Sequence, residues 1–525
     1  MGFITAQRNQ LRMFGYSLDD FVAPDAKCRF VVEIVAELDL RELYADYSPQ
    51  GGDAYDPRAL LAAWFFAYSE GVSSTRRLEQ MCLRDMHYIY VSGNLGPDHT
   101  TLSRFRQRHA QRLPDYFVQI IRVARERGVS EFKHVSIDGT RMHAASSARQ
   151  NRDARALEKE LEGTREQIRE YLERSELLDE EEGEAEDLAG VREKLERLSA
   201  LEKKLVERRG QLEQRRKGLD GKYAQRHKIN LVEPDARNMN ESKSRGAVPA
   251  YNAQVSVDSQ SQLIVAAEVT DEATDQNLFS EQHRQVEENL GADPKRRYTA
   301  DAGYHSLKQL EYIEDNKVDA VVAEPRTDMR QGGGGQGEQK GFRRADFRYD
   351  EKSDEYECPA GRRLSYWYTE NKRGRRVKVY RASSCGACEH RAVCIKGQKK
   401  YGTRTIMRDE KEELAEEMFQ KASSEQGRDR LKARATSVEP VIGNLKSNLG
   451  FRRFRLRGKQ KAGAEFILMC IGHNLNKLYC LTAGAWSFFL FLLGLCRTLF
   501  GACQWPGARN SARPSQFVLI TLTYT

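Results

Sequence analysis

The feature that most narrows what this chain can fold into is a change of hydrophobic period near residue 133. Beyond it, apolar residues alternate in short runs: KHVSIDGT, then YNAQVSVDS and LIVAAEVTD around a polar SQS turn, then RRYTADAGY and DAVVAEP. Helical spacing in NLFSEQHRQVEENL and SLKQLEYIEDN separates the last three strands. Two antiparallel strands followed by strand-helix-strand-helix-strand predict an α/β fold, a mixed sheet with helices packed on it.

Before residue 133 the period is that of helices. YDPRALLAAWFFAYSEG, TRRLEQMC and TTLSRFRQRH place apolar residues three and four apart, broken at Gly71, Gly93, Gly96 and Pro97. An all-α N-terminal unit over 1–130 follows, its third helix starting at a Thr100 or Thr101 cap and carrying Arg104, Arg106 and Arg108. Such arginines either meet phosphates or form the solvated face of an ordinary bundle. The sheet region, 131–480, is interrupted twice. Residues 151–222 are dense in Glu, Lys, Arg and Leu and read as a charged helical hairpin or coiled coil with an acidic elbow, DEEEGEAED. Residues 326–408 open on the glycine-rich linker RQGGGGQGEQKG and then carry cysteines. An apolar tail, 481–525, closes the chain. Tyr479–Cys496 has no charge over 18 residues, the lower margin for a membrane span, and a buried tail is expected in preference to an anchor.

Length and charge bound the rest. The 525 residues suit about three domains. Lys and Arg total 85 against 77 Asp and Glu, a net of +8 that permits a basic face without requiring one. Ten cysteines in so long a chain exclude a small disulfide scaffold. The opening MGFITAQRNQLRMFG is polar where a secretion signal needs an apolar core, so a cytoplasmic protein with no membrane partner is expected.

Two aspartates stand where predicted strands end: Asp138, where HVSID meets GT, and Asp301, where RYTAD meets AGY. Each either caps its turn or points into the crevice where α/β sheets bind ligands. Together they suit Mg²⁺, which takes one or two carboxylates and fills the rest of its shell with water and phosphate oxygens. A third acid is offered by Glu324, ending DAVVAEP, and by Glu439 in RATSVEPVIGNLK. Thr436-Ser437-Val438-Glu439 also reads as a capping box with Pro440 in the opening turn of a helix. On that helix Glu439, Gly443 and Lys446 share a face. His305 is either a phosphate donor or a structural residue of the turn.

Two further stretches carry chemistry. GFRRFRLRGKQK, with Arg452, Arg453, Arg455 and Arg457, alternates arginine with Phe451 and Phe454 and contains no acid. Its arginines suit phosphates, and its phenylalanines either stack on bases or enter the core. Cys358, Cys385, Cys388 and Cys394 form one cysteine, a gap, then C-x-x-C-x5-C, a spacing for structural Zn²⁺, with His390 as a substitute ligand.

Taken together, these strings resemble the DDE-class transposases of bacterial insertion sequences, most closely the group numbered eleven eighty-two. The resemblance spans roughly residues 15–480 and rests on YDPRALLAAWFFAYSEGVSSTRRLEQMC, PDHTTLSRFR, SIDGT, YNAQVSVD, YTADAGYHS and SVEPVIGNLKSNLGFRRFRLRGKQKAGAEF. It implies an RNase H-like catalytic core, Asp138, Asp301 and Glu439 as the triad, and Lys446 as a contact to the element's end. Arg434 lies five residues before Glu439 where relatives place an arginine four before, and no tyrosine falls nearby. The resemblance further implies Mg²⁺ or Mn²⁺, binding to terminal inverted repeats and target DNA, a homo-oligomer that is dimeric when active, and hydrolytic cleavage followed by joining of 3′-OH ends. An inactive DNA-binding remnant and a nuclease without strand transfer are the alternatives.

Overall fold

In a computed structural model the described residues are 3–4, 17–47, 54–180, 185–217, 219, 224, 227–240, 246–324, 342, 346–372, 375–395 and 402–499. Seven helices open the chain: α1 (Lys27–Glu37), α2 (Arg41–Ala45), α3 (Pro57–Ser69), α4 (Thr75–Arg84), α5 (Met86–Val91), α6 (His99–Arg108) and α7 (Leu113–Glu126). Helix α3 is the axis of this bundle because it is apolar all round, and Trp64, Phe65 and Tyr68 are fully buried. Asp56 starts it by accepting the Arg58 N–H at 3.0 Å, with Pro57 in the first turn, where no amide donor is missed. Helix α6 is capped by Asp98, two positions before the nearer of the expected threonine caps. Asp98 accepts the amides of Thr100 (2.8 Å) and Thr101 (3.0 Å), and the Thr101 hydroxyl itself donates to that carboxylate at 2.6 Å.

The expected sheet is present. Its strands are β1 (His134–His143), β2 (Arg237–Asn240), β3 (Ala247–Asp258), β4 (Ile264–Thr270), β5 (Arg297–Ala300) and β6 (Ala320–Val322), in the order β6-β5-β1-β3-β2, with β4 also pairing β3. β1–β3 and β3–β4 are antiparallel, and β1–β5 and β5–β6 are parallel. α10 (Phe279–Leu290) and α11 (Leu307–Asp315) make the crossovers. Between β1 and β2 runs the helical hairpin α8 (Ala154–Glu180) and α9 (Ala185–Arg216). Leu157, Leu161, Leu205 and Leu212 are buried between them, and Arg165 pairs with Glu202 across the seam at 2.7 Å. Residues 181–184 of the acidic elbow lie outside the described residues.

After β6 comes a five-stranded antiparallel meander, β7 (Arg348–Asp350), β8 (Glu355–Glu357), β9 (Arg363–Lys372), β10 (Arg375–Ala382) and β11 (Thr405–Asp409). Phe347, Tyr356, Leu364, Tyr380 and Ile406 fill its core. The glycine-rich linker before it lies outside the described residues. Helices α12 (Glu412–Ser423), α13 (Glu425–Gly443) and α14 (Lys459–Leu499) follow.

Helix α13 overturns the capping-box reading. It starts at Glu425, capped by Ser424, so Ser437 and Glu439 stand in its last turns and Pro440 lies inside it. An internal proline strips the carbonyl four residues earlier of its donor. Here that carbonyl belongs to Thr436, and Gln262 donates its side-chain amide to it at 3.2 Å. The helix then widens into a π turn over Asn444–Asn448. Helix α14 clamps the same region from its buried His473 and Asn474. His473 bridges Asn444 and the Gln262 carbonyl, each at 3.0 Å, and Asn474 both accepts from and donates to the backbone of Ile264 at 2.8 Å.

Residues 1–478 form one compact unit, and a second, Tyr479–Thr525, begins inside α14. Among the described residues no helix is long and apolar enough to cross a membrane, and tail residues 500–525 lie outside them.

Candidate active site

Strand β1 does not end at Asp138, as expected, but runs on to His143, because β3 keeps pairing with it through His143–Ala250. What ends there is the other neighbour. Pairing with β5 stops at Ile137–Ala300, so Asp138 and Asp301 follow the last paired residues of two adjacent parallel strands. Alternation turns Asp138 to the same face as Ser136, and that face is covered by α13, whose Ser437 hydroxyl meets the Ser136 hydroxyl at 3.1 Å.

Arg434 of α13 donates to Asp138 Oδ2 at 3.0 Å, and the Gly139 amide donates to Oδ1 at 2.8 Å. Burial pushes the Asp138 carboxyl up to about 6, Arg434 opposes the rise and Asp301 adds to it. Asp301 caps the following turn by accepting the Gly303 amide at 2.8 Å. Burial raises Asp301 as well, the Gly303 bond and Arg434 lower it, and Asp275 adds a repulsive charge. Two partly desolvated carboxylates thus share one arginine.

Asp275 was missed by sequence reasoning, which found nothing at strand ends or at ligand spacing in the polar loop TDEATDQN. Its Oδ1 accepts from Asn252 at 2.7 Å and from Gln254 at 2.8 Å, both on β3. Tyr304, fully buried, donates its hydroxyl to the Gln254 side-chain oxygen. The Asp301 turn is thereby tied to the strand beside Asp138.

Glu439 is solvent-exposed on α13 and makes no hydrogen bond or ion pair among the described residues. Lys446, which helical spacing puts on its flank, donates to the Arg141 carbonyl at 2.7 Å, three residues beyond Asp138 on β1. Glu324 is exposed two residues past β6. His305 ends the Asp301 turn, its amide on the Ala302 carbonyl, and burial lowers its ring pKa.

The basic residues divide. Arg106 departs from the DNA-facing expectation, since it is buried, bonds the Tyr68 hydroxyl at 3.1 Å and lies 4.5 Å over Trp64. Arg104 and Arg108 are exposed. In the Gly450–Lys461 stretch Phe451 and Phe454 are core residues and present no stacking surface, whereas Arg452, Arg453, Arg455 and Arg457 are exposed. Arg455 also reaches back to the Ser73 hydroxyl at 2.7 Å.

The four cysteines of the zinc pattern line one small cavity with Phe347 and Leu364, and Cys394, raised by burial, senses the other three thiols. Among the described residues no group of three or more His, Cys, Asp or Glu side chains is gathered as a metal site, here or at the aspartates. The chemistry of the donor set at the aspartates nonetheless fits a hard dication, which takes no more than one or two carboxylates, and burial gives both carboxyls a need for positive charge.

Residues 357–479 match a family model described as Transposase DDE domain, and residues 16–108 match one described as Transposase domain (DUF772). The first span includes all four cysteines, Arg434, Glu439, Lys446 and the exposed arginines, and the second covers α1 to α6. No curated protein matches the chain.

Proposed function

The two matches indicate a DDE-type transposase of the insertion-sequence kind, and from that premise we propose that the chain binds the ends of its element, cleaves them by metal-dependent phosphodiester hydrolysis and joins the 3′-OH ends to target DNA. The observation that carries the reading is the pair Asp138 and Asp301, side by side where β1 and β5 cease to pair, beneath the helix that bears Arg434 and Glu439. The strand order β6-β5-β1-β3, with β4 antiparallel to β3, supports an RNase H-like core, with the helical hairpin and the five-stranded meander as its two insertions.

Asp138 and Asp301 would hold Mg²⁺ or Mn²⁺, with Glu439 as the third acid. A divalent pair in such a site activates the attacking oxygen and stabilises the leaving one. The chain's own residues do the rest. The Gly139 and Gly303 amides fix the two carboxylates by 2.8 Å bonds. Arg434 balances their charge before DNA arrives. Lys446 and the exposed Arg452, Arg453, Arg455 and Arg457 present cations to backbone phosphates, and Arg104 and Arg108 add a second basic site on α6. Cys358, Cys385, Cys388 and Cys394 hold structural Zn²⁺ in this reading, supported by their spacing and shared cavity. The enzyme acts in the cytoplasm as a dimer.

The test is cleavage and joining of duplexes carrying the inverted repeats that flank the gene, with Mg²⁺. Asp138→Asn and Asp301→Asn should abolish both while end binding persists. Cleavage without joining by the unaltered protein would leave a nuclease; full activity in either variant would overturn the site.

A further inference from the structure

A further carboxylate stands beside Asp138 and Asp301, and the sequence makes room for it. Glycine follows Asp138 directly and Asp301 after one residue, as Gly139 and Gly303. Neither glycine has the left-handed backbone that would demand one, so both are there for space. What fills the space is the side chain of Asp275, from the loop between β4 and α10. A Cβ on Gly139 would stand 2.6 Å from Asp275 Oδ1, and one on Gly303 would stand 3.1 Å from Asp275 Oδ2 and 2.9 Å from Asp301 Oδ1. Asp275 Oδ2 and Asp301 Oδ1 therefore flank the same point.

The partners of Asp275 are one-sided. Its Oδ1 takes the neutral amides of Asn252 and Gln254, at 2.7 and 2.8 Å, and both donors belong to buried side chains of β3. Among the described residues neither Asp275 nor Asp301 is in an ion pair, and the Arg434 guanidinium, 3.0 Å from Asp138, is the one ion-pair partner the three acids have. An asparagine at position 275 would accept the same two amides without setting a like charge beside Asp301. The charge of Asp275 thus costs the metal-free fold stability that its hydrogen bonds do not require, which is the mark of a group retained for function. Tyr304 carries the connection onward, since its hydroxyl donates to the side-chain oxygen of the same Gln254 and Tyr304 belongs to the Asp301 turn.

We propose that Asp275 is a positioning residue of the active site: through Oδ1 it holds the Asp301 turn against β3, and through the charge of Oδ2 it draws a divalent cation to the aspartate pair. The inference rests on the transposase reading, in which Asp138 and Asp301 hold that metal. Among the described residues the three acids are not gathered as one ligand set, so Asp275 acts from behind the pair. Groups that orient metal ligands from there set affinity by about 10- to 100-fold.

The test uses the full-length protein and Mn²⁺, with the free ion counted by electron paramagnetic resonance. Asp275→Asn keeps the acceptor and removes the charge. It should weaken Mn²⁺ binding by about tenfold or more, with a metal-free melting temperature equal to or above that of the unaltered protein. Asp275→Ala strands the amides of Asn252 and Gln254 and should melt lower. Cleavage of element ends by Asp275→Asn should return as Mg²⁺ is raised about tenfold to 100-fold, while Asp138→Asn stays inactive. Unchanged Mn²⁺ affinity in Asp275→Asn, a melting temperature as low as that of Asp275→Ala, or cleavage that high Mg²⁺ does not restore would each overturn the proposal. Asp138→Asn and Asp301→Asn are titrated alongside. If they weaken Mn²⁺ binding and Asp275→Asn does not, this inference alone fails; if neither weakens it, the catalytic reading itself fails.

Discussion

Gly139 is fixed by space. A Cβ at this position would stand 2.3 Å from the Gln254 amide nitrogen and 2.6 Å from Asp275 Oδ1, both held in one hydrogen-bonded network. Gly139→Ala should therefore cost about 1–3 kcal/mol by urea denaturation and disturb Asp138 next door. A neutral effect would show that the network is slack. Asp138 itself carries a pH signature. Its folded carboxyl titrates near 6 against an ordinary 3.8, so the folded state holds the proton more tightly. The stability this contributes is present below about pH 4 and is lost as pH rises through about 6, the opposite of an ordinary salt-bridged aspartate. A bound dication reverses that loss, and protons compete with it. Mg²⁺ should thus raise the melting temperature more at about pH 7.5 than at about pH 5, and Asp138→Asn should shrink the difference. Equal increments at both values would contradict a metal on Asp138. Asp301 could be read from a strand end, and Asp138 from a supposed one, although β1 runs on to His143 and only its pairing with β5 stops there. Asp275 could not, because a loop acid acquires meaning only from Asn252 and Gln254 on a strand more than twenty residues earlier.

At the scale of elements, helix α13 shows why local pattern misleads. Thr436-Ser437-Val438-Glu439-Pro440 reads the same at a helix start and inside a helix, and the deciding partner, Gln262, is 174 residues away. Gln262→Ala should cost about 1 kcal/mol by leaving the Thr436 carbonyl unsatisfied. In a Pro440→Ala background the helix regains its own donor and the same change should cost less. Additive effects in that double-mutant cycle would refute the compensation. Strands β1 and β3 to β6 and the charged hairpin were legible because their hydrophobic periods are their own, whereas β2 and the five strands of the meander were not. Arg106 was not, since its burial depends on Trp64 and Tyr68 of another helix.

For the whole molecule, the arginines of the Gly450–Lys461 stretch serve two ends at once, Phe451 and Phe454 anchoring the segment while its exposed cations face outward. Each phosphate they neutralise should contribute roughly 0.9 to the slope of log affinity against log salt. Replacing Arg452, Arg453 and Arg457 by alanine should flatten the slope in proportion, for element ends and unrelated DNA alike. An unchanged slope would move DNA elsewhere on the protein. The zinc reading is tested by metal analysis of the purified protein, with about one equivalent per chain expected and loss on Cys385→Ser or Cys388→Ser. Metal-free protein from zinc-replete cells would contradict it. The identity of the third acid is decided by comparing Mg²⁺-dependent cleavage of an element end by Glu439→Gln and Glu324→Gln. Loss of cleavage with retained DNA binding in Glu439→Gln, and near-normal cleavage in Glu324→Gln, is the predicted result; the reverse pattern would contradict it.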